Sequence, residues 1–337
     1  MISAGRTPVI SLALLLFSAG SAAAKSGHAR PQQPAPQEKR AAEFETARRG
    51  LDALMNGDPD AAIQIFHGVQ ESDPESPLGD LLLADALWWK IYFATGNLIN
   101  PDVFDVVSTR TTPYDPQFDD LIGSVIRKAQ GRIRARQDVA RNELYLGMAY
   151  GLQARLLGMR GDDLPTARAG KKMRATLLDA IARDPNLNDA FLGVGIYNYF
   201  VDTLPAIVKI IRWLIGLPGG NRANGLAQIE RTATRGDLAR GEAQFYLAKD
   251  FSRPYEHEYK KSLALFKQLA HEYPRNGLWK ILTGSLEIQL GHAPEGEALY
   301  RQVLKETAGD KSEAGRAFHR AAKQALLLQH PDEKIPD

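Results

Sequence analysis

From Ala41 onward, apolar positions recur at i, i+4 and i+7, with Arg, Glu, Gln and Lys filling the positions between. That spacing marks helices with one buried face. Three segments share one pattern. "DAAIQIFHGVQESDP" sets Ala62, Phe66 and Val69 ahead of Pro74, "KSLALFKQLAHEYP" sets Ser262, Phe266 and Leu269 ahead of Pro274, and "RATLLDAIARDP" sets Leu177 and Ala180 ahead of Pro185. Each proline closes its unit because it lacks the N–H a further helical turn needs. A second set alternates with the first: "LYLGMAY", "AFLGVGIY" and "FYLAKDF". Here a small residue (Gly147, Gly193, Ala248) follows a Leu and lets two backbones approach, while Tyr150, Ile196 and Phe251 wedge the partner three positions on. No segment sustains a period-2 alternation of β-branched residues, so helices are predicted and no sheet.

The two sets read as first and second helices of repeated hairpins. They resemble the tetratricopeptide (TPR) pattern, L-G-x-x-Y on the first helix and A-x-x-x-F-x-x-A-x-x-x-x-P on the second, over about residues 41–303. The resemblance implies an all-α, TPR-like right-handed α-solenoid of five to six hairpins, and "SEAGRAFHRAAKQALLLQH" after Asp310 suits a C-terminal cap helix. The small-residue anchors Gly50, Ala84, Gly147, Gly193, Ala248 and Gly284 are 34, 63, 46, 55 and 36 residues apart. A regular unit is about 34 residues, so the longer gaps hold insertions. One falls at "ATGNLINPDVFDVVSTRTTPYDPQ", before a helix expected over 118–136.

Another insertion holds "NYFVDTLPAIVKIIRWLIGLPGGNR", the most apolar stretch outside the N-terminus. Its helical insert is expected over 201–220. Ile207, Ile211, Trp213 and Leu214 make it apolar around most of its girth, although Lys209 and Arg212 interrupt it. It is too short and too charged to span a bilayer. Docking on the solenoid's own apolar surface is the expected cover. A bilayer interface, with residues 205–216 as an amphipathic anchor, and a partner contact stay open. The block from Gly195 to Leu226 also resembles a segment of a eukaryotic TPR family linked to inclusion-body clearance. Asn198, Leu204-Pro205, Gly220-Asn221-Arg222 and Gly225-Leu226 match, and Ala206 replaces that family's second Pro. This resemblance implies a shared insert and no shared role.

At the N-terminus, Arg6, the apolar run from Val9 to Phe17 and Ala22-Ala23-Ala24 form a signal-peptide pattern with cleavage expected after Ala24. The expected organisation is a signal peptide at 1–24, a disordered Pro/Gln-rich tether at 25–40, the solenoid at 41–330 and a disordered tail at 331–337. That predicts an exported, periplasmic protein. It is no lipoprotein, because the chain has no cysteine to carry the lipid.

Charge and chemistry narrow the function. Lys+Arg number 42 against Asp+Glu 40, for a net charge of +2, which demands neither nucleic acid nor anionic lipid. The basic run "RKAQGRIRARQDVAR" spreads its cations around a helix and reads as a solvated face. The absent cysteines exclude thiolate metal sites and Cys nucleophiles. His257-Glu258 and His271-Glu272 lack the second His that zinc chemistry needs on the same helix face. "LPGGNRANGL" lacks the Lys-Ser/Thr of a phosphate loop, and no G-x-S-x-G elbow occurs. Glu71-Ser72 and Glu75-Ser76 lie in an inter-repeat turn, without the partner motif of a lytic transglycosylase. No catalytic residue, metal ligand or cofactor is therefore assigned.

The expectation is a non-enzymatic scaffold that binds a protein or peptide in its concave groove. The TPR register puts Asp85, Trp88, Trp89, Met148 and Leu152 on that groove, with Val194, Tyr197, Asn198, Lys249 and Arg253 further along. The aromatic residues Trp88, Trp89, Tyr92, Tyr150 and Tyr197, with Asn198, are the expected partner contacts, because large aromatics dominate interface energetics. A peripheral membrane protein and an enzyme of unrecognised type remain the alternatives.

Overall fold

A computed structural model of the chain describes residues 36–95, 98–99, 108, 110–204 and 216–335. The signal-peptide segment, most of the tether and the insert residues Ile207, Ile211, Trp213 and Leu214 lie outside them. Thirteen helices and no strand occur among the described residues. They are α1 (Pro36–Met55), α2 (Pro59–Ser72), α3 (Pro77–Thr95), α4 (Asp115–Arg134), α5 (Val139–Arg160), α6 (Asp163–Arg183) and α7 (Ala190–Thr203). Then follow α8 (Arg222–Arg235), α9 (Arg240–Phe251), α10 (Tyr259–Glu272), α11 (Gly277–Gln289), α12 (Ala293–Glu306) and α13 (Glu313–Gln329).

Each helix packs on the next, and first helices also touch one another, as in α3 with α5 and α5 with α7. The result is six TPR-like hairpins, α1/α2 to α11/α12, capped by α13. The helix after the first long insertion, α4, is the second helix of its hairpin. Two boundaries differ from expectation: α1 starts at Pro36, inside the expected tether, and residues 331–335 dock instead of forming a free tail. Glu333 takes both terminal nitrogens of Arg301, at 2.6 and 3.0 Å, and Ile335 packs against the core.

Local chemistry sets the helix starts. The Asp58 carboxylate accepts the Ala61 N–H at 2.9 Å, with Pro59 in the first turn where no N–H is missed. Ser312 caps α13 through Gly315, and Asn221 caps α8 through Asn224. The predicted stripes are the buried ones: Ala62, Phe66 and Val69 on α2, Ser262, Phe266 and Leu269 on α10. Gly147 sits so close to Leu177 that any Cβ there would collide with it, which explains the small residue. Gly225 has the same packing role. A Cβ on Gly225 would come within 2.7 Å of the Tyr199 nitrogen, so α7 and α8 meet backbone to backbone. The Arg222 N–H donates to Asp202 at 2.9 Å and ties the two helices across the insertion.

The stack does not stay open. Its first hairpin meets its last two. The Met55 carbonyl, at the C-terminus of α1, accepts from Asn276 Nδ2 and from Trp279 Nε1, both at 2.9 Å. Asn276 caps α11 at the same time, accepting from the Leu278 N–H at 3.0 Å. On the other side α13 packs on α3, where Phe318 meets Phe93 edge to face at 5.0 Å and Glu313 reaches Lys90 at 3.3 Å. Trp89 lies at the hub, 6.0 Å from both Phe245 and Trp279. No helix of the described residues is long and apolar enough to cross a membrane.

Candidate functional site

Closing the stack leaves a cavity of ≈ 1100 Å³ on its inner side. Leu51 and Leu54 of α1, Leu81 and Leu82 of α3 and Met148 and Leu152 of α5 form part of the wall. Across from them stand Met173 of α6, Leu192, Ile196 and Phe200 of α7 and Leu238 before α9. Leu164, Tyr255 and Leu328 are the exposed large apolar side chains among the described residues, and the first two border the cavity. Leu204 and Leu217, at either side of the insert, border it too.

A charged cluster interrupts this apolar wall. Asp85 (α3), Arg155 (α5) and Glu242 (α9) all face the cavity. Arg155 forms an ion pair with Glu242, and its guanidinium lies over the rings of Trp88 at 5.1 Å and Tyr246 at 5.0 Å. Its positive charge is therefore used on three sides. Asp85 has no such arrangement: its Oδ1 is shielded from solvent and makes no hydrogen bond. Burial pushes its carboxyl up to about 8; the Glu242 charge adds to the rise, and Arg155 offsets part of it. Asp189, also on the wall, is held by backbone N–H groups of Leu238 and Ala239, each at 3.0 Å. Burial still pushes it up to about 6.

The TPR register found much of this wall. Asp85, Trp89, Met148, Leu152, Tyr197 and Arg253 border the cavity; Trp88, Val194, Asn198 and Lys249 do not. The structure places most of the expected aromatic contacts deeper than a groove surface. Trp88 and Tyr92 are fully buried and stack on each other at 5.4 Å with 8° between the planes. Trp89 reaches the cavity with 1% of its surface. These three side chains bury themselves in the closure of the stack, which local periodicity does not reveal. Tyr150 is buried, with Lys172 over its ring at 5.5 Å. Asn198 donates to Gln228 at 2.8 Å, inside the α7/α8 contact. Of the six expected contacts, Tyr197 has the most direct place on the wall, where its hydroxyl donates to the Pro218 carbonyl at 3.0 Å.

Sequence reasoning passed over Arg155 and Glu242, although a signal was present. Met148, Leu152 and Arg155 continue one i, i+4, i+7 stripe, and Glu242, Lys249 and Arg253 share another. Extending the groove register one turn past Leu152 reaches Arg155, and two turns back from Lys249 reaches Glu242.

No protein-family model matches the chain, and no curated protein matches it. Among solved structures, the chain is similar to a thermophilic TPR protein from Thermus thermophilus. That likeness is at 15% identity and a TM-score of 0.41, covering 73% of this chain and 99% of the other. It is a likeness of fold, and the hairpin architecture stands on the helix order and contacts above.

Proposed function

We propose that this is an exported, non-enzymatic binding protein that holds an apolar segment of another polypeptide in its cavity. The supporting observation is the cavity itself: ≈ 1100 Å³, walled by Leu, Ile, Met and Phe side chains, with Leu164 and Tyr255 exposed beside it. Small-molecule sites run to about 300–1,000 Å³, so a stretch of chain suits this space better than a compact metabolite. Exposed apolar side chains bordering a cavity are the surface expected where a partner docks. Helices fixed by the closed stack pre-organise the wall and lower the ordering cost of binding. Export is supported by the N-terminal pattern of Arg6, the Val9 to Phe17 run and the alanines before Lys25.

Gly170 gives the test. It borders the cavity from α6, and a Cβ there meets nothing nearer than Tyr197 at 3.7 Å. The Cβ of Gly170→Leu therefore enters without a clash, the rest of the side chain adds volume at the wall, and the change removes a helical glycine, which costs about 0.8–1 kcal/mol relative to alanine. The expected result is an unchanged or higher melting temperature, with loss of binding of Nile red, a neutral apolar fluorophore. Failure of the wild type to bind the dye, or equal binding by the variant, would reject the cavity as the binding site.

A further inference from the structure

We infer that the segment held in the cavity carries a Lys or Arg side chain, which pairs with Asp85. The inference rests on the cavity reading above and adds the chemistry of the occupant. The apolar wall sets most of that chemistry; the charges set the rest. Arg155 already pairs with Glu242 and lies between two aromatic faces, so it is not available to an incoming anion. Arg48 at the rim is matched by Asp237 at 3.4 Å. The Asp189 carboxylate takes two backbone N–H groups. Arg253 pairs with Asp250 at 3.6 Å, Arg240 lies against Asp52, and Asp163 is exposed to solvent. Asp85 differs from all of these: its Oδ1 is shielded and has no hydrogen-bond partner. The charged and titratable groups facing it from neighbouring helices are Arg155 of α5 and Glu242 and Tyr246 of α9. A half-buried acid with a shielded oxygen that lacks a partner is costly, and a cation delivered beside it relieves that cost. An apolar peptide with one long basic side chain satisfies both the wall and the acid. A neutral peptide leaves the acid as it was, and an acidic one places like charge against Glu242 and Asp85.

The experiment is displacement of Nile red from the full mature chain by three peptides. They are acetyl-Gly-Leu-Leu-Lys-Leu-Leu-Gly-amide and its versions with norleucine or glutamate at the lysine position. At pH 9 the lysine peptide is expected to displace the dye at about tenfold lower concentration than the norleucine peptide. The glutamate peptide is expected to be weakest. The preference should shrink toward pH 6, where Asp85 holds its proton, and vanish in Asp85→Asn, with helicity as the folding control and each peptide's potency referred to that variant's own dye affinity. Equal potency of the lysine and norleucine peptides, a preference for glutamate, or a lysine preference that survives Asp85→Asn would each overturn the inference. Dye binding without displacement by any peptide would overturn it too, while leaving the apolar cavity intact. If no probe enters until residues 205–215 are deleted, the occupant is the chain's own apolar insert and the partner reading falls.

Discussion

Asp85 shows how one side chain ties stability to binding. Its carboxyl is raised to about 8, first by burial and then by Glu242, against about 3.9 in an unfolded chain. Between those values the folded protein keeps a proton that the unfolded chain has lost. Stability should therefore fall as pH rises from about 4 to about 8 and level off above. Asp85→Asn removes that slope. Thermal melts followed by circular dichroism should show the variant gaining on the wild type between pH 5 and pH 9. A constant difference across that range would mean Asp85 does not titrate in this way. The residue itself was legible: the TPR register put it on the concave face. Its isolation was not, because that depends on Arg155 choosing Glu242, two residues on helices far apart in sequence.

Helices α1 and α11 show where local patterning stops informing. The small-residue anchors Gly50 and Gly284 marked both as first helices of their hairpins. Nothing in either segment indicates that the last carbonyl of α1 meets Asn276 and Trp279. The aromatic residues Trp88, Trp89 and Tyr92 were consequently read as contacts for a partner, whereas the stack uses them on itself. Asn276 has two jobs, cap and tie, and substitution separates them. Asn276→Ala removes both and should cost roughly 1–3 kcal/mol in urea denaturation. Asn276→Asp keeps an acceptor for Leu278 but loses the donor to Met55, so it should fall well short of wild type. An aspartate variant as stable as wild type would show that the tie contributes nothing.

At the scale of the molecule, closure changes how the repeats share stability. An open solenoid sums nearest-neighbour contacts and frays from its ends. Here the first hairpin is held by α11, and α3 by α13, so neither end is free. Native-state hydrogen exchange should give α1, α3 and α11 one common protection level, exchanging together through global unfolding. A gradient rising from the termini to the middle would contradict this. Five to six hairpins and the cap helix were readable from the chain; the space they surround was not, since it arises from contacts between helices at opposite ends of the sequence. The Met55 tie to Trp279 also dictates an order of events during synthesis. Bringing such distant points together pays a large loop-closure entropy and slows folding. The wall residues end at Tyr273, so a nascent chain that has not yet released α11 carries the whole wall but lacks the tie that draws its two ends together, and the pocket closes only when the last hairpin folds.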